Sequence, residues 1–382
     1  MRLTSVRLVH FRNHSRTQFT PADRFNVLLG ENGEGKTNIL EAISYLCLTK
    51  SFFGGSDRIA LQLGEEQFSV EGTLLSDSGI RHSVRVVYNS AENRKRVWIN
   101  NVEPETFSEV MGRFPVVVLS PESYAITHGS PMERRKFLDL VLAQASRVYL
   151  EHLIEYRRCL KQRNKILVDA KLHRKYPAEA LEPWNVNLAE HGAHIIARRL
   201  IFLQEFQQYV TDAFQKLTDQ KEVPVMRYEG SLAVEPGATA EGIRAHFLAQ
   251  LDARLVEEQQ RATTMVGPHR DEVEFFINDR SLRTFASQGQ HKTFLVALKV
   301  AEFYYLKDRC NETPILLLDD ILSELDEHRI ERVLNLTQQL GQTFITSTSE
   351  QFFAGYEWNE GARKFSVKRG MVTQEEAHNY VS

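Results

Sequence analysis

Gly30-Glu31-Asn32-Gly33-Glu34-Gly35-Lys36-Thr37 matches the pattern G-x-x-x-x-G-K-[ST]. Glycines at this spacing let the backbone curl into a nest whose N–H groups converge on phosphate oxygens. Lys36 is placed to reach the β- and γ-phosphates of a nucleotide, and the Thr37 hydroxyl to ligate Mg²⁺. A helix that starts here adds the positive end of its dipole. The complementary chemistry lies far along the chain, at Ile315-Leu316-Leu317-Leu318-Asp319-Asp320. Four apolar residues there deliver two carboxylates to a strand's C-terminal end, where open α/β sheets bind ligands. Asp319 would hold Mg²⁺, and Asp320 would polarise the water that attacks the γ-phosphate. Each motif has an ordinary reading, a Gly-rich turn and an Asp-Asp turn; together they point to a site that binds and hydrolyses ATP.

These residues need elements to hold them. Phe25–Leu29 reads as a buried strand before the loop, and Ile39, Ile43, Leu46 and Cys47 form one face of a helix after it. The first 30 residues read as strand, turn, strand. Further strands are expected at Phe68 to Thr73, His82 to Tyr88, Val97 to Ile99 and Val116 to Leu119, with Ser90 to Arg96 as a polar turn. From Pro131 to Lys171 the period is helical, with breaks at Pro177 and Pro183. Two more helical segments follow, Asn187 to Lys216 and Thr239 to Arg261. Strands return at Val273–Ile277, Ile315–Leu318 and Thr343–Thr346, around a long helix over 287–309. The order is β-rich, then α-rich, then α/β. It predicts an α/β head built from 1–119 and 266–382, interrupted by a helical arm at 120–265, with the helix 287–309 bridging the two.

The chain has 382 residues, 42% hydrophobic and 25% charged, with a net charge of −3. That average composition excludes a disordered, collagen-like or disulfide-dense chain. The net charge is a cancellation. Met1 to Arg16 holds Arg2, Arg7, Arg12 and Arg16 and no acid. Pro131 to Lys175 holds 12 basic and 5 acidic residues, whereas Cys310 to Ser382 holds 6 basic and 12 acidic. Cys47, Cys159 and Cys310 lie far apart and suit neither a disulfide framework nor a zinc site. No run approaches the ~18 to 20 apolar residues of a membrane helix, so a cytoplasmic protein is expected.

Ser287-Gln288-Gly289-Gln290 opens the long helix 32 residues before Asp319. Taken alone it is a helix N-cap. In this order and spacing it resembles the signature motif of the ABC ATPases, which contacts nucleotide held by the other subunit. A Ser hydroxyl, Gly N–H groups and a helix N-terminus make a second phosphate clamp. Ser323-Glu324-Leu325-Asp326 is similar to that family's D-loop. The strand Thr343–Thr346 leads to Ser347-Thr348 with no switch His, which leaves Thr346 or Thr348 as candidate γ-phosphate sensors.

The whole chain resembles the RecF family, bacterial recombination-repair ATPases related to Rad50 and SMC heads. Carrying the resemblance are Val6-Arg7-Leu8-Val9-His10-Phe11-Arg12-Asn13, the loop Gly30 to Asn38, Ser120-Pro121-Glu122, Arg134 to Asp139, and Val266-Gly267-Pro268-His269-Arg270-Asp271-Glu272. The signature and Leu317-Leu318-Asp319-Asp320 complete it. It implies an ABC-type P-loop ATPase head, a mixed sheet around a RecA-like core, with a helical second lobe. It also implies ATP and Mg²⁺ as cofactors and an ATP-dependent homodimer that binds duplex DNA at gaps or junctions. RecR, and RecO indirectly, are the implied partners in loading RecA, at the nucleoid. By the same resemblance Arg12 and Asn13 approach the nucleotide, and Asp320, where most ABC ATPases have Glu, implies slow hydrolysis with DNA dependence.

The basic helical segment offers Arg157, Arg158, Lys161, Arg163 and Lys165 as phosphate contacts, without strong sequence preference. The alternative of an ABC transporter ATP-binding subunit predicts a membrane partner, a shorter helical lobe, a Gln near Glu122 and a switch His near Thr348. A small-molecule kinase has no use for Ser287 to Gln290.

Overall fold

The computed structural model describes residues 1–173, 178–218, 222–235, 237–324, 326–353, 358 and 361–375. The chain opens with strands β1 (Arg2–Phe11), β2 (His14–Phe19) and β3 (Phe25–Leu29), then helix α1 (Lys36–Leu48). Strands β4 (Gln67–Leu75), β5 (Arg81–Asn89), β6 (Arg94–Ile99) and β7 (Val116–Leu119) follow. Helices α2 (Ala125–His128), α3 (Pro131–Ala145), α4 (Arg147–His173) and α5 (Ala178–Leu217) come next. Then come β8 (Pro224–Glu229), α6 (Ala240–Ala253), α7 (Leu255–Arg261), β9 (Glu272–Ile277), β10 (Arg280–Ser281) and α8 (Leu282–Phe285). The last elements are α9 (Gln288–Cys310), β11 (Ile315–Leu318), α10 (Glu327–Gln339), β12 (Thr343–Ser347), β13 (Ala362–Lys368) and β14 (Met371–Glu375).

The chain divides into two compact units: 1–124 with 216–219 and 295–382, and 125–215 with 220–294. The boundary falls inside α9, so β9, β10 and α8 belong to the second unit, not to the head expected from residue 266 onward. The reason lies in pairing: β9 bonds β8 and β10 in a three-stranded sheet that the sequence reading missed.

The first unit holds two sheets. One is antiparallel, in the order β2-β1-β4-β5-β6; the other runs β14-β13-β3-β12-β11-β7. The neighbours β13, β3, β12, β11 and β7 are parallel, so their C-terminal ends share one edge. Helix α1 is buried almost all round because it packs against β1, β4 and β5 of the first sheet and β7 and β12 of the second. Its buried polar residues, Lys36, Glu41 and Ser44, each have a hydrogen-bond partner. Among the described residues no helix is long and apolar enough to cross a membrane.

Several boundaries differ from expectation. Arg94, Lys95 and Arg96 belong to β6 rather than to a turn, because they pair with Asn89, Tyr88 and Val87. The segment from Pro131 is two helices, parted at Ser146 in extended backbone. The segment from Thr239 is also two, parted at Arg254. Pro183 lies inside α5 instead of breaking it. It sits in the second turn, where its missing N–H forfeits one bond near the helix start, and Asn187 Nδ2 donates to its carbonyl at 2.8 Å. Pro177 lies outside the described residues.

The apolar core of the second unit encloses a buried polar cluster. Arg199 donates to Asp139 Oδ1 and to the Pro268 carbonyl, each at 2.7 Å, and Tyr149 also donates to that carboxylate. The stretch Val266 to Glu272 is woven into this core: Asp271 accepts from Ser231 N–H at 2.7 Å, and Glu272 takes the fork of Arg134 at 2.8 and 2.9 Å. Arg163 is 0% exposed and bonds Asn185, Thr264 and the equally buried Glu258 at 2.6 to 2.8 Å. Arg163 is therefore not a DNA contact; spacing along α4 could not distinguish its inward face from the outward one of Lys161 and Lys165, both exposed. Breaking such a buried pair leaves a charge without a partner, so Arg163→Ala is expected to cost about 3–5 kcal/mol. Arg163→Met with Glu258→Leu should cost much less. Denaturant midpoints of the two variants check the difference.

Candidate nucleotide site

The phosphate loop joins β3 to α1. Gly33 and Gly35 take φ of +83° and +108°, which L residues avoid. At Gly35 space decides as well as handedness: a Cβ would fall 2.5 Å from Asn13 Oδ1. Glu31, Asn32 and Gly33 are exposed at the tip. Gly30 is tied to β12 by its N–H on the Ser347 carbonyl at 3.3 Å.

Two turns grip the loop. In the β1–β2 turn, Asn13 Nδ2 donates to Glu34 O at 3.0 Å and Asn13 Oδ1 accepts from Asn38 at 2.8 Å. His14, fully buried, stands between the carbonyl oxygens of Gly35 and Gly370 at 3.0 and 2.7 Å. In the β13–β14 turn, Gly370 N–H bonds Glu34 O at 3.0 Å, and Arg369 N–H meets the Glu34 carboxylate. A Cβ on Gly370 would lie 2.2 Å from Asn13 O, so the two turns touch as closely as backbones allow.

Lys36 is buried and its ammonium donates to the carbonyls of Gly30 and Glu31 at 2.8 and 2.9 Å. Burial lowers its pKa, while Asp320, Asp319 and Glu34 pull it back up. Asp319 emerges from β11 with its N–H on Leu119 O of β7 at 2.9 Å. One oxygen of its carboxylate, Oδ1, accepts two hydroxyls, Thr37 Oγ1 from α1 and Thr346 Oγ1 from β12, each at 2.7 Å. Thr346 Oγ1 in turn accepts the Asp320 N–H at 2.8 Å. Asp320 has φ of +47°, in the left-handed region, which costs about 1–2 kcal/mol for an L residue. The Thr346 hydroxyl holds it there. Burial raises the Asp319 pKa above its ordinary value; the bonds from Thr346 and Thr37 oppose this, and Glu122 and Asp320 add to it.

A family model described as RecF/RecN/SMC N terminal domain matches residues 2–372. The chain is 43% identical to the DNA replication and repair protein RecF of Chloroherpeton thalassium, over 93% of this chain and 96% of that one. The chain belongs to the RecF family. Its fold is likewise similar to solved structures of the recombination mediator protein RecF in the RecFOR pathway. With the RecF–ATPrS structure the TM-score is 0.90 at 30% identity, covering 97% of both chains. With the RecF–ATP structure it is 0.89 at 29% identity, covering 98% of both. The fold is thus the ABC-type α/β head with a helical insertion that RecF shares with SMC proteins.

The other expected RecF site residues fall as follows. Arg12, at φ +54°, forks onto the buried Glu41 of α1 at 2.8 and 2.7 Å and reaches the Ile59 carbonyl at 3.0 Å. Its guanidinium and the Asn13 amide are committed to protein partners beside the loop. Ser287 and Gln290 cap α9 reciprocally: Ser287 N–H donates to Gln290 Oε1 at 3.0 Å, and Gln290 N–H to Ser287 Oγ at 3.2 Å. Ser287 and Gln288 are exposed, Gly289 is half-buried, and Gln290 Nε2 donates to Glu222 at 2.9 Å. Ser323 donates to the Asp320 carbonyl at 2.8 Å, and Asp326 caps α10 by accepting the Arg329 N–H at 3.0 Å; Leu325 lies outside the described residues. Thr346 is buried with its hydroxyl committed between two aspartates, and Thr348 is exposed. Sequence reasoning missed His14, Glu41 and Gly370. Only Gly370 had a local signal, since Arg369-Gly370 is a turn dipeptide between two alternating runs.

Thr346→Val keeps the shape and deletes two hydrogen bonds, the charge-assisted one to Asp319, worth about 1.5–3 kcal/mol, and the one from the Asp320 N–H. Turnover of ATP should fall about 10- to 100-fold, with Thr346→Ser restoring it. The bond to Asp319 favours the ionised carboxylate, so its loss raises the carboxyl's pKa further. The acid limb of the pH–rate profile should move to higher pH in Thr346→Val; an unmoved limb would show that Asp319 does not govern it.

Proposed function

We propose that the chain is an ATP-gated DNA clamp of replication and recombinational repair. The observation that carries this is the meeting at Asp319 Oδ1, which joins the phosphate loop to the second carboxylate motif across 282 residues of sequence. ATP phosphates lie in the nest Gly30 to Thr37, and Lys36 swings from its carbonyl partners to the β- and γ-phosphates. Asn38 and the brace of Arg12 and Asn13 keep the loop in shape.

Thr37 Oγ1 and Asp319 Oδ1 are two hard oxygen donors 2.7 Å apart, and the carboxylate is buried with its charge penalised. That donor set suits Mg²⁺, which when bound neutralises charge developing on the phosphates. Asp320 accepts the proton of the attacking water. Its short side chain, one methylene less than Glu, supports a slow reaction used as a timer.

Ser287 to Gln290 of a second protomer closes on the γ-phosphate, with Ser323 and Asp326 at the same dimer seam. Closing requires Ser287 Oγ to exchange its capping bond for a phosphate oxygen. Dimerisation then presents basic surfaces to duplex or gapped DNA, Arg157, Arg158, Lys161 and Lys165 of α4 among them. Of these, Arg157 already bonds Asp139 at 2.9 Å and Arg158 meets Glu155 at 3.4 Å, which leaves Lys161 and Lys165 as the stronger contacts. DNA in turn accelerates the slow hydrolysis. RecR, and RecO through it, receive the complex for RecA loading in the cytoplasm, at the nucleoid. The likeness to RecF of the RecFOR pathway supports these partners.

The test is sedimentation and gapped-duplex binding with and without ATP. Lys36→Ala should stay monomeric with ATP, and Ser287→Arg should bind ATP without dimerising. Asp320→Asn should dimerise, hold DNA and fail to release it. ATP-induced dimers of Lys36→Ala, or DNA affinity indifferent to ATP in the wild type, would remove the gating.

A further inference from the structure

The structure assigns a DNA-phosphate contact to the outward face of the antiparallel sheet β2-β1-β4-β5-β6, a surface distinct from α4. The assignment rests on the DNA-binding reading above.

The register of the five strands fixes which residues share this face. One cross-strand row runs Gln18, Arg7, Glu71, Arg85, Trp98. The next runs Arg16, Val9, Ser69, Val87, Arg96. Paired residues in a sheet point to the same side, and the residues between them, such as Val6, Leu8, Val70, Val86 and Val97, are buried toward the core. Arg81 and Arg94 fall on the outward set by the same alternation. Arg2, opposite Leu75 in the row of Arg81, joins them, so the face carries seven arginines, Arg2, Arg7, Arg16, Arg81, Arg85, Arg94 and Arg96, and one acid among its strand positions, Glu71. Arg2 is paired with Asp23 in the loop after β2.

Ordinary solvated sheet faces intersperse both signs. Here Glu71 is shared by Arg7 at 3.5 Å and Arg85 at 3.3 Å, and Arg96 meets Glu92 in the adjoining turn at 3.2 Å. Among the described residues Arg16, Arg81 and Arg94 have no ion pair, and all three are exposed. Arg16 and Arg96 end the same row on the two edge strands, four strand spacings or about 19 Å apart. The first row lines a hollow of about 360 Å³, in which Arg85 lies over the Trp98 indole at 5.5 Å. Guanidinium forks suit phosphate oxygens, and exposed single-sign cations release counterions when they meet DNA.

The face is wired to the nucleotide loop. Arg7 and Arg16 lie on β1 and β2, whose connecting turn holds Asn13 on Glu34 O and His14 on Gly35 O. A load on these strands reaches the loop through backbone and two side chains. This gives a path by which DNA accelerates hydrolysis.

The experiment uses the full chain with ATP and a duplex oligonucleotide, over a salt series. Arg16→Gln/Arg81→Gln/Arg94→Gln should lower the slope of log affinity against log salt by about 2 to 3, at about 0.9 for each phosphate no longer neutralised. DNA-stimulated hydrolysis should drop toward the DNA-free rate, with the DNA-free rate and ATP affinity unchanged. Replacing the same three arginines by Lys should keep most of the slope, which separates charge from folding. Wild-type affinity and slope in the Gln variant, alongside weakened binding in Lys161→Gln/Lys165→Gln, would overturn the sheet assignment and leave the DNA reading standing. A wild-type chain that binds no duplex at any salt would overturn both.

Discussion

One carboxylate oxygen organises the head. Asp319 Oδ1 collects hydroxyls from Thr37 and Thr346, and the second of these also pins the Asp320 backbone. A buried carboxylate is tolerated only when hydrogen-bonded or paired. Meeting that demand brings α1, β11 and β12 together. The parallel order β3-β12-β11-β7 is what makes it possible, since it sets the C-terminal ends of these strands side by side. The left-handed Asp320 then follows from its neighbours, not from its own preference.

The same logic extends to the loop itself. A nest of glycines has little stiffness of its own. Its shape comes from the β1–β2 turn on one side and the β13–β14 turn on the other, with His14 joining the loop to the second turn through the carbonyls of Gly35 and Gly370. Burial pushes the His14 imidazole down in pKa, against the pull of both carbonyls. The antiparallel sheet is thus more than a cover for α1, because its first hairpin is bonded to the Gly30–Thr37 loop. The second unit obeys a different rule. Its core holds Arg163 with Glu258 and Arg199 with Asp139, pairs whose desolvation is offset by complete hydrogen bonding.

Much of this was legible in the chain. The loop at Gly30 and the Asp319-Asp320 strand end are short motifs whose mechanism dictates their flanking elements. The strands β3, β7, β11 and β12 are apolar runs that can only be interior. Other features had no local sign. The polarity of Arg163 reads as surface until α4 is packed, and Pro183 reads as a break until its position in the second turn is known. The β8 strand lies in a stretch without clear alternation, and pairing with β9 is what makes it a strand.

The sequence by itself determined the chemistry on offer: a phosphate nest with its lysine and threonine, two carboxylates at a strand end, a Ser-x-Gly-Gln helix start, and an excess of arginine near the N-terminus. Those depend on residue type and short spacing, which a linear chain displays. Which groups meet was decided only by the tertiary structure. Thr346 shares an oxygen with Thr37, His14 joins the phosphate loop to a turn 356 residues further on, and seven arginines from four strands share one face. Strand order and register bring these residues together, and both are set by long-range pairing that no local window of sequence contains.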